Sequence, residues 1–259
     1  MAPNDATPGH WINVLLYALT GFVLFSSLLK ISSGNILFSF ITSILFIAHP
    51  VHTEVVASIK SRDEIMAFLF SIWALERYIN YVRSKKILSL VIASFLFFVA
   101  LLSKESAITF LAIFPLTAYF FTDEKIAVSL KSLIPIAIVT GIFLIIRSSI
   151  LGGISSESFS VADNLLEAAK DPITKFSTTV LIMGLYLKIL LFPHPLVFDY
   201  SYNQIPLVGA GSPGFIASAL FYGGMLIFSF WKLKSKNLFA YSILFSLLPY
   251  LYLLIFSLQ

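Results

Sequence analysis

Eight long apolar runs, set apart by short polar breaks, limit this chain more than any other feature. They cover residues 12–29, 36–50, 65–82, 87–103, 106–121, 132–150, 214–231 and 238–258. Crossing a hydrocarbon core of about 30 Å at 1.5 Å per residue takes about 20 mostly apolar residues, fewer where flanking side chains snorkel. With 58% of residues hydrophobic and 12% charged, the 259-residue chain lacks the polar groups to cover a water-soluble surface. A soluble enzyme, a disulfide scaffold and a disordered tail are excluded, and the absence of cysteine removes thiolate metal sites and a cysteine nucleophile. The expected fold is all-α: a polytopic membrane helical bundle of about eight spans, with the lipid bilayer as its first partner. No cleavable leader is expected, because no Lys or Arg precedes the first apolar run.

Basic residues set the expected sidedness. Lys30, Arg77, Arg83, Lys85, Lys86, Lys125, Lys131, Lys232, Lys234 and Lys236 fall on one side if the first helix runs from outside to cytosol. Only Glu76, Asp123 and Glu124 among the acids share that side. The formal charge of +4 is therefore read as cytosolic anchoring, with no nucleic-acid partner. Residues 173–192 are apolar but carry Lys175 and Lys188. A crossing there would move Lys232–Lys236 outside, so they are read as an interfacial or re-entrant helix; a ninth span is the alternative. The expected organisation is 1–150 as a transmembrane core, 151–213 as an external loop with the interfacial helix, and 214–259 as a transmembrane hairpin.

All four histidines fall on the external side, where three polar clusters stand out. The first is His49-Pro50-Val51-His52-Thr53-Glu54 followed by Ser61-Arg62-Asp63-Glu64. It reads either as a helix-capping loop or as a rim where the planar fork of Arg62 holds a phosphate. His49, His52 and Glu54 could also hold a divalent cation, although two histidines without a fixed third ligand recur by chance. The second is Ser103-Lys104-Glu105-Ser106, a polar break between two apolar runs: a wetted hairpin turn, or a Lys placed on a lipid-linked phosphate. The third contains Asp171-Pro172, Pro193-His194-Pro195 and Asp199-Tyr200-Ser201-Tyr202, a proline-stiffened loop or an acceptor platform.

Taken in order, Pro8-Gly9-His10…Asn13-Val14-Leu15-Leu16, His49-Pro50-Val51-His52-Thr53-Glu54, Ser61-Arg62-Asp63, Leu102-Ser103-Lys104-Glu105 and Pro193…Leu196…Asp199-Tyr200-Ser201…Ile205-Pro206 resemble one family. It is the transmembrane and tetratricopeptide-repeat family of O-mannosyltransferases, within the GT-C membrane glycosyltransferases. The resemblance implies a GT-C-like fold that takes a sugar, mannose in eukaryotic members, from a polyprenyl-phosphate donor to a protein hydroxyl on the external or luminal face. It places Arg62 and Lys104 on the departing phosphate, with Asp63, Glu105 and Asp199 orienting those bases, the sugar or the acceptor. His49, His52 and Glu54 match the family's external rim. Beyond the donor substrate no certain cofactor is implied, and the location is the inner membrane of a bacterium or the endoplasmic reticulum of a eukaryote.

The chain also departs from that pattern. The acidic residue taken as catalytic lies on a loop that would precede Met1, and Asp5 stands too close to the next helix to replace it. Tyr17 stands where a histidine is usual. The tetratricopeptide repeats are missing. The reading is therefore a fragment, short at both ends, that keeps donor binding and loses turnover. A non-catalytic anchor or assembly module is the alternative; a transporter fits less well, since the charges sit at span ends rather than at mid-membrane.

Overall fold

The computed structural model describes residues 7–151, 165–169, 171–197 and 204–257, and its regular elements among them are all helices. It divides into two compact units, Met1–Ile150 and Leu151–Gln259.

The first unit contains α1 (Thr7–Ile31), α2 (Ile36–Ala48), α3 (Thr53–Ala57), α4 (Arg62–Ser84), α5 (Ile87–Ser103), α6 (Phe110–Phe121), α7 (Ile126–Ser132) and most of α8 (Ile134–Leu151). Local chemistry sets the boundaries. The side chain of Asn35 caps α2 by accepting from the Phe38 N–H at 3.0 Å, and His49 and Pro50 end that helix. Lys85 closes α4 in the left-handed region, at φ 58°.

α4 lies at the centre, packed on α1, α5 and α6. Tyr78, Phe97 and Phe114 meet with ring centroids 5.1–5.2 Å apart, and the Tyr78 hydroxyl donates to Ser129 O at 2.7 Å. α1 turns small and polar residues inward (Asn13, Thr20, Gly21, Ser27) and leaves Trp11, Leu15 and Phe22 exposed. That arrangement inverts the pattern of a water-soluble helix and suits lipid outside. Several buried hydroxyls return their hydrogen bond to the preceding turn, as Thr20 does to Leu16 O, Thr117 to Ile113 O and Thr140 to Ile136 O.

The second unit contains α9 (Pro172–Leu191), α10 (Pro213–Lys232) and α11 (Leu238–Ser257), which pack on one another around Met183, Tyr222 and Leu247. Asp171 caps α9, accepting from the Thr174 N–H at 2.8 Å, and proline opens both α9 and α10.

Among the described residues, four helical stretches are long and apolar enough to cross a membrane: Thr7–Ile31, Ile126–Ile150, Pro172–Leu191 and Pro213–Lys232. A fifth arises if Ile36–Ala48 and Pro50–Ala57, bent by 50°, are one broken span. Ile87–Ser103, Glu105–Phe121 and Leu238–Tyr250 are shorter apolar helices. Two differences from the sequence reading follow. The run at 65–82 belongs to a helix outside this group, because α4 carries Glu76, Arg77 and Asn80, which find partners inside the unit. The segment read as interfacial or re-entrant, 173–192, with a ninth span as the alternative, is itself long and apolar enough to cross.

Candidate functional site: a charged rim at one end of α4

Arg62 opens α4 and Lys104 directly follows α5, its antiparallel neighbour, so both cations stand at the same end of the first unit. Arg62 reaches α1 with one edge of its guanidinium: Nε donates to Asn13 Oδ1 at 3.0 Å and Nη2 to Gly9 O at 3.1 Å. Asn13 is fully buried and donates through Nδ2 to Ser58 O at 2.8 Å and Val56 O at 3.3 Å. One amide thus joins α1, the end of α3 and the start of α4. The Nη1 edge of Arg62 makes no hydrogen bond to the described residues.

Lys104 donates to Glu64 Oε1 and stands 3.6 Å from Asp63 Oδ2. Partial burial disfavours its charge, but the Glu64 carboxylate and then Asp63 outweigh this, holding Lys104 above the ordinary lysine value. Asp63 also accepts the Glu64 N–H at 2.9 Å, in the first turn of α4 where the helix dipole favours carboxylates. Glu105 pairs with Arg147 Nε of α8 at 2.6 Å. The rim therefore sets three cations, Arg62, Lys104 and Arg147, among three carboxylates.

Sequence reasoning missed Arg147. Its signal was available: it is the one charged residue in the run 132–150, three residues from its end. Asn13 and Gly9 were read as parts of a motif, without their bonds to Arg62.

The histidine cluster stands beside the rim on an aromatic floor. His49 Nδ1 accepts the Val51 N–H at 3.2 Å, and the His52 ring lies 4.4 Å from Phe46 and 5.9 Å from Tyr17. Phe46 continues to Phe68 at 5.1 Å and Phe68 to Phe110 at 6.3 Å. Tyr17 has a role of its own, donating to Ile47 O at 3.1 Å and so satisfying a carbonyl at the end of α2. Glu54 is exposed in the first turn of α3. Among the described residues no group of three or more His, Asp or Glu could hold a metal ion, so His49, His52 and Glu54 form no such site. Asp199, Tyr200 and Tyr202, expected at an acceptor platform, lie outside the described residues, as does Asp5.

The opposite end of α4 is basic. Glu76, buried, pairs with Lys30 at 2.8 Å and Arg77 at 3.3 Å, and Lys85 pairs with Glu124 at 2.7 Å. Arg83 donates to Lys30 O at 2.5 Å, Ile31 O at 3.0 Å and Phe121 O at 2.9 Å, closing the ends of α1 and α6 together. A cavity of about 270 Å³ opens there, lined by Lys30, Ser33, Glu76, Asn80 and Arg83, far from the rim.

The family model described as "Protein O-mannosyl-transferase TMTC, DUF1736" matches residues 153–226. Human Protein O-mannosyl-transferase TMTC2 is 30% identical over 250 residues, covering 88% of this chain and 29% of that protein. This chain is related to the TMTC protein O-mannosyl-transferases. Mouse TMTC2 is 27% identical with the same coverage, and human TMTC3 is 34% identical over 110 residues, 40% of this chain and 12% of TMTC3. The chain thus spans 29% of the length of the TMTC2 proteins. No solved structure is significantly similar. The TMTC2 match runs through the rim, whereas the family-model match falls on α9 and most of α10.

Proposed function

We propose that the chain is the donor-binding part of a membrane O-mannosyltransferase, a GT-C-like bundle of about eight spans. It takes a polyprenyl-phosphate sugar at the rim, on the non-cytosolic face, for transfer to a protein hydroxyl. The observation that carries the reading is the shared placement of Arg62, Lys104 and Arg147 at the end of α4 opposite the basic cluster. The names of the TMTC relatives support the transferase class.

A leaving lipid phosphate gains charge in the transition state, and donors already fixed in place stabilise it without reorganisation. Arg62 is suited to this: α1 holds its Nε and Nη2 edge, which leaves Nη1 for a phosphate oxygen. Lys104, held charged by Glu64 and Asp63, supplies a second cation once the phosphate displaces one carboxylate. Glu105 positions Arg147. No carboxylate of this chain is assigned as the base that takes the acceptor proton, so the reading is confined to the donor.

One observation favours a second reading, a non-catalytic anchor or assembly module: each rim cation already has an internal partner. Binding of a polyprenyl-phosphate sugar to the chain in lipid nanodiscs separates the two. Arg62→Lys keeps the charge and loses the fork, and Lys104→Gln loses the charge. On the transferase reading each weakens the donor by about 10–100-fold, the worth of a charge-assisted hydrogen bond. Unaltered affinity in both variants, with melting temperature retained, leaves the anchor.

A further inference from the structure

The cavity at the basic end of α4 has no part in the rim or in the proposed reaction. Its wall is shared by Glu76, Asn80 and Arg83 of α4, by Lys30 near the end of α1, and by Ser33 of the turn that follows. Glu76 stands 14 residues beyond Arg62 on the same helix, about 21 Å at 1.5 Å per residue, so a small ligand held here does not touch the rim. A single water needs about 10–15 Å³ of such space. The cavity's volume of about 270 Å³ therefore admits a polyatomic ligand.

Its charges do not cancel. Glu76, 3% exposed, is answered twice, by Lys30 at 2.8 Å and by Arg77 at 3.3 Å. Arg83 is exposed and, among the described residues, pairs with no carboxylate. Its Nη1 donates to Lys30 O and its Nη2 to Ile31 O and Phe121 O, while Nε has no partner among the described residues. Three carbonyls thus fix the guanidinium in place without neutralising it. The Lys30 side chain, 54% exposed, is free to turn from Glu76, because Arg77 still holds that carboxylate. The Ser33 hydroxyl is exposed and makes no hydrogen bond to the described residues. A concavity with a surplus of one sign concentrates ions of the other.

We propose that this cavity binds a phosphate group, held by Arg83 Nε, Lys30 Nζ and the Ser33 hydroxyl, and carried either by an anionic phospholipid or by free phosphate. These donors come from α4, from the end of α1 and from the turn after it, so they approach from different sides. A tetrahedral phosphate has oxygens to meet donors spread in this way, whereas a planar carboxylate has two. The fixed guanidinium supplies direction and the mobile ammonium adjusts to it. Because its donors belong to both α1 and α4, the bound group reinforces the lock that Arg83 makes between them.

The chain contains no cysteine, so Ser33→Cys places a single thiol in the cavity wall of the whole chain. In a phosphate-free maltoside detergent, the rate of its reaction with a maleimide is followed in two arms. One adds inorganic phosphate, against potassium chloride at equal ionic strength; the other adds phosphatidic acid, against phosphatidylcholine. Slowing of about fivefold or more in either arm is expected. Protection by phosphate identifies the free ion as sufficient, and protection by phosphatidic acid alone identifies the lipid headgroup. Lys30→Gln, added to Ser33→Cys, should raise the half-protecting concentration about 10-fold or more, the worth of a charge-assisted hydrogen bond. Arg83→Lys, which keeps the charge and loses the fork, should do the same. Lys30→Gln leaves Glu76 paired with Arg77, so it decides the matter even where Arg83→Lys fails to fold. Unslowed labelling in both arms overturns the proposal, as does protection that Lys30→Gln leaves unchanged. The thiol reports on this cavity alone, so loss of donor binding at the rim would neither mimic nor mask the result.

Discussion

Arg62 and Lys104 lie 42 residues apart in sequence and at one end of the first unit, yet the folded chain uses them differently. Arg62 is fixed by a buried amide and a carbonyl, Lys104 by two half-exposed carboxylates. That difference gives Lys104 a distinct response to pH. Its folded value is raised, so its contribution to stability is fully present below the unfolded lysine value of about 10.4 and is lost as pH climbs through the folded one. Melting temperatures measured from pH 9 to 12 should therefore fall less steeply in Lys104→Gln than in the parent chain. Equal slopes would mean that Glu64 and Asp63 do not hold the ammonium. The residue types alone made Arg62 and Lys104 legible as rim cations. They could not tell that Glu105 would choose Arg147, because that choice depends on where α8 ends, some 42 residues further along.

At the scale of elements, the approach of α9 to α10 uses missing side chains on both helices, Gly184 against Ser218 and Gly214 against Leu181. A Cβ on Gly184 would stand 2.0 Å from Ser218 Oγ and 3.1 Å from its Cβ, so the helices meet where neither carries bulk. Gly184→Ala should cost about 1–3 kcal/mol by overpacking. Adding Ser218→Gly removes the obstacle and should recover most of that loss, read as melting temperature in detergent. No recovery in the double variant would place the strain elsewhere. The sequence announced the helices themselves well, since apolar runs, Asn35, Asp171 and the prolines all act locally. The charges at Lys175 and Lys188 suggested an interfacial or re-entrant helix, with a ninth span as the alternative, and α9 is long and apolar enough for that alternative.

Over the whole molecule, the alternation of basic breaks was informative because it reflects which ends of helices gather. Lys30, Arg77, Arg83 and Lys85 do meet at one end of α4, with the carboxylates Glu76 and Glu124 among them, and the rim forms at the other. α4 was read as an ordinary span from its length. Its polar side chains keep it outside the helices that qualify by length and composition, and partners within the first unit explain how it bears them. Asp199 was equally visible in the sequence, but it lies outside the described residues.

α1 and α4 are fastened to each other twice, by Arg62 on Gly9 and Asn13 and by Arg83 on Lys30 O and Ile31 O. Two rods pinned at both extremities lose the freedom to slide, and their spacing becomes a gauge. One alanine inserted between Ser71 and Ile72 would advance everything beyond it by about 1.5 Å and turn it by about 100°. Either pin could then be kept, never both, so the insertion should lower the melting temperature more than a substitution of either arginine alone. A vernier of this kind ties the basic end of α4 to the charged rim at its other end, so that neither can shift along α1 without the other.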